Sequence, residues 1–167
     1  MPLKINHTSQ KCSVNLNITG SKSETNRLLL LKALYPVLQI KNASNSDDSI
    51  AMNHALSTEL NLIDIHHAGT AMRFLTAFFA TQSEREVVLT GSSRMQERPI
   101  GVLVDALKKL GADIVYENQE GFPPLRIKGK TLSGGHVTLP ANISSQYISA
   151  LLLISPQLQD GLTLTLE

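Results

Sequence analysis

Over residues 62–128 the hydrophobic pattern switches repeatedly between two periods, and few folds accommodate that. Short apolar runs at 62–65, 87–90, 112–116 and 125–128 have strand length, whereas 69–81 and 99–110 carry apolar residues at helical spacing. The 99–110 segment is the best marked. Pro99 suits a first helical turn, and Ile100, Leu103, Val104, Leu107 and Leu110 form one stripe. Lys108 and Lys109 face the negative helix end, and Gly111 supplies the stop. With a polar turn at 118–124 joining the last two strands, the order is β-α-β-α-β-β. Upstream, residues 12–19 alternate strictly between apolar and polar, predicting a half-buried strand. Residues 26–35 read as a leucine-rich helix stopped by Pro36, and 37–41 as a short strand. Ser46, Asp47, Asp48 and Ser49 then open another helix, a hydroxyl cap followed by carboxylates in the positive first turn. Strand 136–139, helix 145–154 and strand 162–166 close the chain. One supersecondary unit thus recurs, shortened before residue 60, whole over 62–128 and begun again afterwards. The expected class is α/β (α+β), with a further unit missing.

Composition narrows the function. Fifteen Lys and Arg against fourteen Asp and Glu give a net charge of +1, without the basic excess of a protein that coats nucleic acid. No Trp and only seven Phe and Tyr leave little for base stacking. The single Cys12, on the strand expected at 12–19, excludes an internal disulfide and a thiolate zinc cluster, and reads as inert. No apolar run nears the ~20 residues of a membrane helix, and the start shows no signal or transit character. The expectation is a cytoplasmic protein whose partners are neither nucleic acid nor membrane.

Four helix starts share a construction of small polar or glycine residues before the apolar run: residues 20–27 (GSKSETNR), 66–70 (HHAGT), 91–98 (GSSRMQER) and 142–146 (NISSQ). A helix N-terminus offers unpaired N–H groups and about half a positive charge, so it attracts anions. Lys22 and Arg27, Arg73, and Arg94 and Arg98 stand beside three of these starts. Each start alone reads as a capped helix with a solvated charge; four at equivalent repeat positions predict convergence on one edge. Other sites fail on spacing. Residues 20–23 lack the glycine of GxxxxGK[ST], and no GxGxxG occurs. His54, His66 and His67 have no carboxylate or cysteine at a ligand spacing, so no metal is expected.

Residues 20–27, Asp47 and Asp48, 68–73 (AGTAMR), 89–91, 94–101 (RMQERPIG) and 144–146 together resemble, in order, the N-terminal part of the 5-enolpyruvylshikimate-3-phosphate synthase family. The resemblance implies repeated βαβαββ units of the enolpyruvyl transferase fold, forming part of one lobe of a two-lobed enzyme. It divides the chain into 1–19, strands crossing to the other lobe; 20–60, a shortened first unit; 61–130, a second; and 131–167, the start of a third. The implied activity is transfer of the enolpyruvyl group of phosphoenolpyruvate to the 5-hydroxyl of shikimate 3-phosphate, releasing phosphate, without metal or organic cofactor. Lys22, Ser23, Arg27, Ser144, Ser145 and Gln146 would hold shikimate 3-phosphate. Lys22, Gly69, Thr70, Arg98 and Gln146 would hold phosphoenolpyruvate, with Lys22 also catalytic.

Three departures qualify the resemblance. His67 stands where the family pattern has Asn, which affects the fine geometry of the phosphoenolpyruvate pocket and glyphosate sensitivity. The strand pair the family carries between Leu56 and Leu62 is missing. The general base belongs to the absent lobe, so the chain is expected to be inactive alone and to require the remainder of a monomeric enzyme. Two alternatives stay open: the sister transferase acting on UDP-N-acetylglucosamine, and a non-catalytic anion-binding or assembly domain.

Overall fold

The computed structural model describes residues 3, 4, 6 and 13–167. Two helices come first, α1 (Lys22–Leu34) and α2 (Asp47–Ser57), followed by β1 (Leu62–Asp64) and α3 (Gly69–Ala80). Next are β2 (Glu86–Thr90), the single turn α4 (Ser93–Gln96), α5 (Gly101–Lys109), β3 (Asp113–Tyr116) and β4 (Leu125–Lys128). The chain continues through β5 (Gly135–Leu139), α6 (Ser145–Ile154) and β6 (Leu162–Leu166).

The centre is α3. Its sequence, GTAMRFLTAFFA, is apolar all round apart from Arg73 and two threonines, so it has no face suited to water, and all twelve residues are buried. On one side lies a four-stranded sheet of order β1-β2-β4-β3, with β1 and β2 parallel and the other pairs antiparallel. Alternation in β4 turns Leu125 and Ile127 inward and leaves Arg126 and Lys128 in water. On its other side α3 meets α1, α2 and α6. Strands β5 and β6 pair in parallel, a connection that requires the crossover supplied by α6, and β5 backs onto α5. Helices therefore lie between two outer sheets. Phe74, Leu75, Met72 and Phe79 are at most 1% exposed, and each such side chain contributes roughly 1.5–3 kcal/mol of burial.

Four expectations change. Residues 13–19 form no strand; Val14, Leu16 and Ile18 are 63%, 79% and 82% exposed, because no described strand lies beside them to accept the ladder. Cys12 lies outside the described residues. Residues 37–41 also form no strand: Pro36 and Val37 turn the chain, and Asn42 adopts a left-handed φ of 53° while its carbonyl binds the Gly20 N–H at 3.0 Å. The segment before β1 is thus α-α rather than β-α-β-α. Helix α1 begins at Lys22, not residue 26, since Ser21 caps it and Thr25 and Asn26 are buried by bonds to Ser44 and Ser49. Helix α5 begins at Gly101 rather than Pro99, because the Ile100 and Gly101 N–H groups both donate to the Gly121 carbonyl. Among the described residues no helix is long and apolar enough to cross a membrane.

Candidate anion-binding site

The starts of α1, α3 and α6 and the loop carrying Arg98 meet, tied by side-chain contacts. Ala68 gives α3 no side-chain cap, so its first N–H groups remain available beside Thr70 and Arg98. The Arg98 guanidinium lies so close over the Gly69 Cα that a β-carbon there would collide with Nη1. Glycine is the residue that permits this approach. The Gln146 amide donates to Thr70 Oγ1 at 3.2 Å, joining α6 to α3. Arg27 runs from α1 to α6, donating to the Ser23 carbonyl at 2.9 Å and the Ser149 hydroxyl at 2.8 Å. Its guanidinium also stacks 5.3 Å from the Phe74 ring centre. Lys22 Nζ lies 3.9 Å from Asp48, and His67 lies 3.8 Å from Asp47, which brings the start of α2 to the rim.

The nine residues singled out in the sequence sit as follows. Gly69 and Thr70 are buried, Arg27 and Gln146 half-buried, and Lys22, Ser23, Arg98, Ser144 and Ser145 exposed. The Ser144 hydroxyl is engaged as the cap of α6, accepting from the Gln146 N–H at 3.3 Å. Two further cations, Arg94 and Arg73, join the group. Arg94 and Arg98, with His67 and Met95, line an open cavity of about 490 Å³. Among the described residues neither arginine forms an ion pair. Arg73 is 6% exposed behind them, and burial pulls its guanidinium below the ordinary arginine range; the Tyr147 hydroxyl offsets part of this and the Arg98 charge adds to it. Among the described residues no carboxylate pairs with Arg73, so its charge adds positive potential behind Arg98.

A larger hollow of about 560 Å³ shares His67 but is lined by Asp47, Asp64, His54 and His66. Its carboxylates give it the wrong sign for an anionic ligand. Among the described residues no group of three or more His, Cys, Asp or Glu could hold a metal ion. His66 takes a left-handed φ of 50°, its N–H donating to Asp64 at 2.7 Å and its carbonyl accepting from Ser92 at 2.9 Å. These bonds hold the loop entering α3.

Residues 57–167 match the sequence family described as EPSP synthase (3-phosphoshikimate 1-carboxyvinyltransferase). The chain belongs to the EPSP synthase family. It is 49% identical over 152 residues to the 3-phosphoshikimate 1-carboxyvinyltransferase of Bacteroides fragilis, covering 90% of this chain and 37% of that protein. The Colwellia psychrerythraea protein of the same name is 41% identical over 184 residues, covering 94% and 43%. In structure, EPSP synthase from Acinetobacter baumannii superposes with a TM-score of 0.74 at 21% identity, over 86% of this chain and 38% of that one. The enolpyruvyl transferase fold is thereby established, and the chain spans about two-fifths of the length of these relatives.

Sequence reading noticed Arg73 as a cation but gave it no site role, and it missed Tyr147 and Ser149. Arg73 had a usable signal, since a position four residues after Gly69 lets its side chain return to that carbonyl, as it does at 2.9 Å. Tyr147 and Ser149 sit inside the apolar run of α6, where helical spacing marks core and nothing more.

Proposed function

We propose that this chain is the portion of a 3-phosphoshikimate 1-carboxyvinyltransferase that gathers its two anionic substrates. The observation that carries the reading is the Arg98 guanidinium laid over Gly69 at the uncapped start of α3, with Arg94 beside Arg98 on the cavity wall and buried Arg73 next to Gly69. Arg98, Gly69 and Thr70 hold the phosphate of phosphoenolpyruvate. Lys22, Ser23 and Arg27 hold shikimate 3-phosphate together with Ser144, Ser145 and Gln146, whose amide reaches both ligands. Residues 20–60, 61–130 and 131–167 serve as successive units of one lobe, and 1–19 as the link to the other.

The chemistry needs such a site. The 5-hydroxyl oxygen adds to C2 of phosphoenolpyruvate, losing its proton to a base while C3 gains a proton; phosphate then leaves C2 and a proton leaves C3, restoring the double bond. Two multiply charged anions must approach to bonding distance first. One cation–phosphate contact at about 4 Å offsets on the order of 4 kcal/mol at an effective dielectric near 20. Several fixed cations are therefore required, and placing them before the substrates arrive avoids reorganisation during reaction. Lys22 adds a point charge that follows developing charge. The proton-accepting base and the opposite wall come from the remainder of a monomeric cytoplasmic enzyme. UDP-N-acetylglucosamine is disfavoured as acceptor because Lys22 is followed by Ser23 rather than Asn.

Fusion in frame to the remaining sequence of the Bacteroides fragilis relative tests this. The hybrid should release phosphate from phosphoenolpyruvate only when shikimate 3-phosphate is present, and Lys22→Ala should lower the rate at least a hundredfold. A folded hybrid that prefers UDP-N-acetylglucosamine, or that is indifferent to Lys22→Ala, contradicts the reading.

A further inference from the structure

The Pro99 carbonyl accepts two hydrogen bonds from residues outside the substrate-contact set. The Tyr147 hydroxyl donates to it at 2.7 Å, and Arg73 Nη2 at 3.4 Å. Arg73 also donates Nη1 to the Gly69 carbonyl at 2.9 Å and lies 5.8 Å from the centre of the Tyr147 ring. Both side chains are more than nine-tenths buried, and Arg73 Nε has no partner among the described residues. A buried guanidinium with no carboxylate and an orphaned donor is expensive, so bulk packing is a poor account of it.

We propose that Tyr147 and Arg73 are positioning residues, a clasp on the Pro99 carbonyl that aims Arg98. The inference rests on the anion-site reading given above. Arg98 is the residue immediately before Pro99, and its own N–H is tied to the Met95 carbonyl at 3.0 Å. Backbone on both sides of Arg98 is therefore fixed: by Met95 before it, and after it by a proline of restricted φ whose carbonyl is held twice. Through the Gly69 carbonyl, Arg73 sets the α3 start against which the Arg98 guanidinium lies. Tyr147 follows Gln146, so the same clasp couples the start of α6 to the Arg98 loop. Supporting residues of this kind convert a flexible exposed arginine into a preorganised anion ligand.

The test uses Tyr147→Phe, which keeps the ring over Arg73 and deletes only the hydroxyl, with Arg73→Met as the stronger variant and Arg98→Ala as control. Two readouts are taken by NMR on labelled chain: the Arg98 Nε–Hε signal without ligand, and the dissociation constant for inorganic phosphate. Tyr147→Phe should broaden the Arg98 Nε–Hε signal and weaken phosphate about three- to tenfold while backbone dispersion is retained. A role confined to stability would move neither readout. An Arg98 signal unchanged in Tyr147→Phe overturns the clasp, whatever phosphate does. If Arg98→Ala abolishes phosphate binding and Tyr147→Phe leaves it at the parent value, the clasp falls while the site stands. Phosphate binding unchanged in Arg98→Ala removes the site reading and the clasp with it.

Discussion

Phe74→Ala is expected to lower the unfolding free energy by about 3–5 kcal/mol, measured by urea denaturation. Phe74 is fully buried in α3, which packs against both the four-stranded sheet and the other helices, so the vacated space cannot collapse without moving either layer. Whole-domain stabilities are about 5–15 kcal/mol, which makes this loss a large share. The ring also carries Arg27, whose guanidinium stacks on it at 5.3 Å and holds Ser149. Affinity for shikimate 3-phosphate should therefore fall in the fraction that stays folded. Leu152→Ala, at a side chain 52% exposed, is the comparison and should cost about 0.5 kcal/mol or less. Equal small losses at both positions would show that α3 is not the core.

Gly69→Ala should separate binding from stability in the opposite sense. Its β-carbon would meet the Arg98 guanidinium, the movable end of an exposed side chain, and would come within 3.1 Å of Arg73 Nη1. Arg98 can swing outward at little cost to the fold, and alanine favours the helix by about 1 kcal/mol over glycine. Stability should stay within about 1 kcal/mol of the parent while phosphoenolpyruvate affinity drops at least tenfold, since the displaced arginine no longer shares its anion with the α3 start. Titration calorimetry on the completed enzyme, beside thermal unfolding, reads both quantities. Parent-like affinity would mean that the Arg98–Gly69 approach has no part in binding.

Much of the architecture was legible because its signals are local. Helix α6 and strand β6 carry their patterns within themselves and fall where the spacing put them, at Ser145–Ile154 and Leu162–Leu166. The alternation expected at 12–19 gave no strand over its described residues 13–19, because period-two hydrophobicity states what a segment could pair with, not that a partner lies beside it. The early start of α1 was illegible for another reason. Lys22 to Thr25 are polar and lie before the apolar run on which the expected helix 26–35 rested, yet Thr25 and Asn26 are held in α1 by hydrogen bonds to residues about twenty positions away. Three of the four expected helix starts, with the Arg98 loop in place of the fourth, make up the candidate site, whereas its buried support was not legible. Tyr147 reads as core until the distance from its hydroxyl to Pro99 is seen.

Titration of labelled chain with shikimate 3-phosphate, followed by NMR, tests the central claim that these helix starts form one preorganised anion site. Shifts should cluster at Ser23, Arg27 and residues 144–146 at millimolar ligand and vanish in Arg27→Ala, whose fold should persist. A well-dispersed spectrum that stays unmoved, or shifts spread evenly over surface lysines and retained in Arg27→Ala, would contradict it.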